Sequence, residues 1–379
     1  MSSGCLRCCQ LVDDTGLPPT KLMPATSSLV AFPRPRIASL GTGVFLCWYA
    51  RHFLLDTVAP SRYNRAMRTS SSPLKIIVRI ILIVAFILFL AWIALLTYGK
   101  LAYDDTFSRR TTITSNPGLK DGLVPQGLTW HQENRVFLTT GYMADGSPSR
   151  IYQIDPDTGA IQFHPLTSGG QPFYGHTGGL QYAAGSLYLA DDGSGLYKFS
   201  GRLPAPGEPI EIGTPIQVHN NTAFVFAAGG FVYTGEFNND KEYVTHNPFS
   251  YNDTYHSAIV TKYRSSNLAI PELIYSIGNE IQGFAILTDG TIVLSQSYGL
   301  APSRFLIYEP AQQTMTGRTM HGAEVCFLGE PTRIIQAPPM SEDLDVRNGT
   351  LVYMTESASK KYLFGNLYFD WNIYELKVN

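Results

Sequence analysis

Charge is scarce in this chain. Asp, Glu, Lys and Arg make up only 15% of its 379 residues, and the two signs nearly cancel to a formal net charge of -2. A DNA or RNA reader carries a clear basic excess, so nucleic acid is not expected as a partner. Cysteine is sparse as well, and unevenly placed. Cys5, Cys8, Cys9 and Cys47 precede a long apolar run, and only Cys326 follows it. The larger, C-terminal part therefore has no internal disulfide. Cys5-x-x-Cys8-Cys9 has no matching Cys/His pair at zinc spacing and reads as incidental. Also missing are a Gly-x-Ser-x-Gly elbow, a His-Glu-x-x-His pair and a P-loop. The histidines after the apolar run (His131, His164, His176, His219, His246, His256 and His321) have no close metal spacing. What abounds is Gly (34), Tyr (22) and Phe (20). That mix suits a turn-rich, aromatic-rich β protein.

Residues 80–98 carry no charge over 19 positions. That is about the length needed to cross ~30 Å of hydrocarbon, and a helix satisfies every backbone amide there. Trp92 and Tyr98 suit the far interface. Arg62, Arg65, Arg68, Lys75 and Arg79 precede the run, whereas Lys100, Asp104, Asp105, Arg109 and Arg110 after it nearly balance. Positive charge stays inside, which predicts a cytoplasmic N-terminus and a C-terminal domain beyond the membrane, held by an uncleaved signal anchor. A cleavable signal peptide is the rival reading, but no small-x-small site is evident in 95–102. Residues 1–66 hold Cys, Pro and Arg in no period. Met67 opens a compact basic flank (67–79), which suggests Met67 as the natural start and 1–66 as a spurious extension. The expected layout is then a span at 80–98, a linker at 99–110 and an exported domain at 111–379.

In that domain one pattern recurs. Gln126-Gly-Leu-Thr-Trp130, Gly178-Gly-Leu-Gln-Tyr182, Asn221-Thr-Ala-Phe-Val225, Gln282-Gly-Phe-Ala-Ile286 and Glu342-Asp-Leu-Asp-Val346 each open a unit of three or four β-prone runs. Asp289-Gly290 and Asn348-Gly349 are hairpin turn pairs between such runs. Short strands in a repeat of this length are the mark of propeller blades. The expected fold is all-β: a five-bladed β-propeller preceded by one transmembrane helix. Six blades are the alternative, with a divergent blade hidden in 235–277. The last unit lacks a fourth strand, and Thr111-Thr-Ile-Thr-Ser115 is placed to supply it and latch the ring.

In a propeller the inner strands all begin at one face. The unit openings should therefore converge on a funnel: Gln126, His176 with Thr177, Asn221, Gln282 and Glu342. Loops 141–148, 191–194, 236–256, 297–302 and 356–361 should ring them. A concave site with a few convergent polar groups is the default ligand site. The alternative for Gln126 and Gln282 is a turn role, capping backbone of the neighbouring blade. Glu342, Asn221 and Glu236 together form a candidate Ca²⁺ ligand set, since that ion takes carboxylate and amide oxygens. Glu342 is equally a candidate general base. Asp155-Pro-Asp-Thr-Gly159 reads as a tight turn. Asn220-Asn-Thr, Asn252-Asp-Thr and Asn348-Gly-Thr are glycosylation sequons.

Val124-Pro-Gln-Gly-Leu128, Gly175-His-Thr-Gly-Gly-Leu180, Ile281-Gln-Gly-Phe284, Ala337-Pro-Pro-Met-Ser-Glu342 and Glu356-Ser-Ala-Ser-Lys-Lys-Tyr362 resemble a family of membrane-anchored propellers from bacteria and other microbes. That resemblance implies a propeller and no assigned reaction. More distantly, Gln126-Gly-Leu128 is similar to the opening of plant-type glutaminyl cyclases, although Thr139-Thr-Gly-Tyr142 stands where they carry Glu-Ser-Thr-Gly. Glu342 and Asn221 are similar in type to the metal ligands of gluconolactonase and strictosidine-synthase-like propellers. The leading expectation is a membrane-tethered ligand-binding or interaction module, taking a small molecule or a protein. The alternatives are a Ca²⁺-dependent lactonase or esterase, and a glutaminyl-peptide cyclotransferase.

Overall fold

The computed structural model describes residues 72–368 and 370–378. The N-terminal region 1–66, and with it the reading of Met67 as a start, lies outside the described residues. Helix α1 (Pro73–Ala102) contains the whole charge-free run. Its 30 residues rise about 45 Å at 1.5 Å each, long enough to cross a bilayer. The large apolar side chains from Leu74 to Leu90 stand exposed, with no protein packed over them. The linker after it is also helical: α2 (Asp104–Arg109) carries Asp104 and Asp105 in its first turn and Arg109 in its last. That arrangement complements the helix dipole.

The remainder is a five-bladed propeller. Blade one runs outward from β2 (Leu123–His131) through β3 (Val136–Met143) and β4 (Arg150–Ile154) to β5 (Ile161–Ser168), with β6 (Gln171–Pro172) and β10 (Ile210–Glu211) on its outer edge. Blade two has three strands, β7 (Gly179–Ala183), β8 (Ser186–Asp191) and β9 (Gly195–Ser200). A single bridge between Leu196 and Ile216 stands where its fourth would be. Blade three starts from β11 (Phe224–Ala228), β12 (Phe231–Gly235), β15 (Ala258–Arg264) and β16 (Asn267–Ile277). Blade four is β17 (Ile281–Ile286), β18 (Ile292–Gln296), β19 (Ser303–Tyr308) and β22 (Arg333–Ala337). Blade five is β23 (Ser341–Arg347), β24 (Thr350–Thr355), β25 (Asn372–Leu376) and β1 (Arg110–Ser115).

Strand β1 is the expected latch. It pairs antiparallel with β25, so that the first strand of the domain completes the last blade. Closure of this kind hides the sheet edges that an open stack would expose. The stretch 235–277 contains no sixth blade: it holds a small hairpin, β13 (Phe249–Tyr251) with β14 (Thr254–His256), and then the outer strands of blade three. A second hairpin, β20 (Gln313–Met320) with β21 (Ala323–Leu328), leaves blade four. It joins blade three by parallel pairing of β21 with β16. The tight turn at Asp155 is as expected, with its Oδ1 accepting from the amides of Asp157 and Thr158.

Blades pack face to face, so their middle strands are buried on both sides and read as continuous apolar runs. Leu351, Val352, Tyr353 and Met354 of β24 are all inaccessible. The outermost strands, such as β20, are mostly exposed. Leu128, Phe137, Val352, Met354 and Ile373 fill the seam between blades five and one, where the ring closes.

The inner strands approach closely around the axis. A Cβ on Gly127 would lie 2.7 Å from the amide nitrogen of Leu180, and one on Gly283 would lie 2.9 Å from the carbonyl oxygen of Glu342. Only glycine admits backbone that near. This is the physical origin of the recurring polar-Gly pair. Below the pair the axis is filled. Asp343 Oδ2 accepts from the amides of Leu128 and Leu180, each at 3.1 Å. Asp345 Oδ2 accepts from Trp130 N and Thr129 Oγ1. These two aspartates tie three inner strands together.

Candidate funnel site

The strand geometry places one residue from each inner-strand start at the rim of a cavity of about 530 Å³ on the axis: Gln126, Gly178, Ala223, Gln282 and Glu342. These are the residues just before Gly127, Gly179, Phe224, Gly283 and Asp343. His176 lies beside them on the approach to β7 and also lines the cavity. Four of the six sequence-derived candidates therefore meet: Gln126, His176, Gln282 and Glu342.

Asn221 and Glu236 do not join them. Blade three contributes Ala223 at the equivalent position, two residues later than the sequence pattern suggested. The neighbouring Asn220 explains the offset. Its side chain donates to the carbonyls of Asn221 and Thr234 and accepts from Thr234 Oγ1, so the chain is held along β12 before β11 begins. Asn221 and Glu236 instead line an adjoining depression of about 310 Å³. Glu236 is engaged there, accepting from Asn247 Nδ2 at 2.6 Å and from the Ile259 amide at 3.1 Å. Burial pushes its carboxyl up to about 7. The expected Ca²⁺ set of Glu342, Asn221 and Glu236 is thus divided between two depressions. Among the described residues no group of three His, Cys, Asp or Glu side chains could hold a metal ion.

The funnel instead pairs two carboxyls. Glu342 is 2% exposed, faces the cavity, and has no hydrogen-bond partner for its carboxyl among the described residues. Burial holds it well above the usual carboxylate range, and the charges of Glu356 and Asp343 add to the effect. Glu356 follows β24 and reaches in from the side. Its Oε2 accepts from Gln126 Nε2 at 2.8 Å, and it is also hydrogen-bonded by Tyr362. Burial raises it to about 7, against the opposing pull of Tyr362, Lys361 and Gln126. Two such groups facing one cavity cannot both ionise cheaply at neutral pH.

Around the pair stands an aromatic wall of Tyr142, Phe237, Tyr243, Tyr298 and Tyr362. Tyr142 and Tyr362 share a hydroxyl contact of 3.2 Å, and Lys361 donates to the Tyr142 hydroxyl while its ammonium lies 4.5 Å from that ring's centre. Burial raises both tyrosines. His176 packs tilted against Tyr142, at 4.8 Å between ring centres and 33° between ring planes. Desolvation lowers His176, and the nearby charges of Asp192 and Asp191 oppose it. Gly178 and Ala223 leave the opposite wall nearly without side chains, and this supplies the open volume.

Glu356 and Lys361 bound one of the expected ring loops, and neither they nor Tyr142 and Tyr362 are picked out by the inner-strand starts. One signal was present. The second strand of several blades closes on an acid at the funnel end: Asp191 ends β8, Glu236 follows β12 and Glu356 follows β24.

No protein-family model matches the chain, and no curated protein matches it. Among solved structures it is similar to the glutaminyl cyclase of Myxococcus xanthus, with 12% identity, a TM-score of 0.38, and 71% of this chain and 94% of that one covered. It is similar to the GH43_1 enzyme of Xanthomonas citri at 11% identity and TM-score 0.39, over 70% of this chain and 90% of that one. It is also similar to the PQQ-bound aldose sugar dehydrogenase of Streptomyces coelicolor, at 12% identity and TM-score 0.34, over 65% and 76%. Likeness at this level carries no inference about chemistry.

Proposed function

We propose that this chain is a membrane-tethered propeller whose funnel binds a small amine-bearing ligand. Helix α1 is the tether, with its basic flank on the cytoplasmic side and the propeller beyond the membrane. The observation that carries the ligand class is Glu342. A carboxyl that faces an open cavity with no protein donor is free to be met by a donor on whatever fills that cavity. An ammonium supplies it twice over, to Glu342 and to Glu356, and its charge favours the ionised form of both. The surrounding tyrosine faces add cation–π attraction. An anionic ligand would meet the same carboxyls as repulsion.

The test uses the full chain in detergent or nanodiscs and three probes of one shape: benzylamine, benzyl alcohol and benzoate. Benzylamine should raise the melting temperature, more at pH 8 than at pH 6, because binding draws on ionised carboxylates. Benzoate should not, and Glu342→Gln should abolish the benzylamine shift. A benzoate shift equal to that of benzylamine would overturn the assignment.

The state of Glu356 favours a second reading. A carboxyl near 7 is matched to general acid–base work at neutral pH, which either a hydrolase or an aminoacyl cyclotransferase would need. Turnover of an ester, a lactone or an N-terminal glutaminyl peptide, lost in Glu356→Gln, would establish it. Activity lost on chelation would add a Ca²⁺ requirement, and activity indifferent to chelation would remove it.

A further inference from the structure

The funnel wall and the tether meet in one short loop, between β24 and β25. Lys361 and Tyr362 line the funnel. Gly365–Tyr368 is a short 3-10 turn, and its Leu367 and Tyr368 share a cleft with Leu95, Leu96, Gly99 and Tyr103 at the end of α1. The Tyr103 and Tyr368 rings lie 6.3 Å apart. Leu95 and Leu96 belong to the charge-free run that crosses the bilayer under the tether reading. The turn therefore sits at the level where α1 leaves the hydrocarbon.

Between these two anchor points stand Leu363 and Phe364, 76% and 64% exposed. They are adjacent large apolar side chains at a loop tip, where polar residues are the norm. The loop holds them there. Asn366 Nδ2 donates to the carbonyls of Ser359 and Tyr362 at 2.9 and 2.8 Å, and the amides of Tyr362, Asn366 and Leu367 each find a carbonyl within the loop. Phe364 is three residues from Leu367, and three residues of chain reach at most about 11 Å. Both apolar side chains therefore lie within reach of the layer where α1 emerges.

We propose that Leu363 and Phe364 insert into the interfacial layer of the bilayer beside α1, seating the funnel mouth against the membrane surface instead of bulk solvent. This rests on α1 being a membrane span. The occupant of this apolar tip is lipid, because the tip continues the lipid-facing surface of α1. The funnel then draws its ligand from the membrane surface, through the gap that Lys361 and Tyr362 border.

The test places a photoactivatable benzophenone side chain at Leu88, Phe364 or Ile161, one at a time, in the full chain reconstituted into phosphatidylcholine vesicles. Leu88 lies in the span. Ile161 is 50% exposed and pairs with Ile154 at the end of blade one remote from the funnel. After irradiation, lipid adducts are read by mass spectrometry. Adducts at 88 and 364, with those at 161 at least tenfold fewer, are the expected result. Adducts at 88 with none at 364, or equal yields at 364 and 161, would overturn the seating while leaving the tether intact. No adduct at 88 would overturn the tether and the seating together. Benzylamine binding is read separately, so neither outcome is confused with failure of the ligand assignment.

Discussion

Replacing Glu356 by Gln should stabilise the protein above neutral pH and do little below pH 5. In the folded chain this carboxyl titrates at about 7, compared with 4.5 for the free side chain. Below pH 4.5 it is protonated in both states and contributes no pH dependence. Between 4.5 and 7 the unfolded chain ionises while the folded chain holds its proton, so stability falls as pH rises. Above 7 the penalty is complete. The rise from 4.5 to about 7 corresponds to roughly 3 kcal/mol. Glu356 is partly open to the funnel, and solvent there reduces the figure to about 2 kcal/mol.

Gln has the same shape and keeps an acceptor for Gln126 and Tyr362, so the substitution removes the titration without opening a hole. It also removes the charge that raises Glu342, which acts in the same direction. For a domain of this size about 2 kcal/mol corresponds to roughly 4–8 °C in melting temperature. The assay is thermal unfolding of the full chain in detergent from pH 5 to 8.5, followed by circular dichroism, for the natural and Glu356→Gln chains side by side. The difference between them should grow from about a quarter of its full value at pH 5 to the full value by pH 8. A difference that is flat with pH, or a variant less stable than the natural chain at pH 8, would refute a carboxyl held protonated by the funnel.

Two further outcomes are expected. Gly127→Ala should cost about 1–3 kcal/mol as overpacking, because the atoms its Cβ would meet are backbone of Leu180 and Gly179. Gly278→Ala, with nothing within 4 Å of its Cβ, should melt within a degree of the natural chain, and equal losses in the two would sink the close-approach account. In a host that glycosylates exported proteins, Asn252 and Asn348, both exposed at hairpin turns, should each carry a glycan removable by N-glycosidase. Asn220 should carry none, because its amide is buried and bonded to Thr234. A fully unglycosylated chain would place the propeller on the cytoplasmic side and reverse the tether's direction.

The blades were legible in sequence because the axis enforces close backbone approach at most of the repeats. Inner strands in near contact demand glycine or a small residue, and Gly127, Gly179 and Gly283 mark three of five starts. The latch was legible from strand counting alone, since a blade short of one strand leaves an edge and Thr111-Thr-Ile-Thr-Ser115 was spare. The migration of β20 and β21 to blade three was not legible. It depends on parallel pairing between Leu273 and Glu324, and no local pattern distinguishes that edge from the edge of blade four.

The site divides along the same line. Where the glycine rule holds, at Gln126, Gln282 and beside His176, the residues predicted to converge do so, and Glu342 converges with Asp343 in the glycine position. Blade three breaks the rule, with Phe224 in the glycine position, and there the pattern slipped by two residues to Asn221. Glu356 lies only 14 positions beyond Glu342, yet its role depends on a side chain entering from the second strand, outside the inner-strand pattern. A funnel built this way can vary its chemistry cheaply. The inner-strand start fixes the backbone, and the residue that faces the funnel there is Gln, Gly, Ala, Gln or Glu from blade one to blade five. Specificity should therefore reside in that one position per blade and in the loop that carries Lys361 and Tyr362. Exchanging Ala223 for a residue as large as Gln should fill the open side of the cavity and exclude benzylamine without loss of fold.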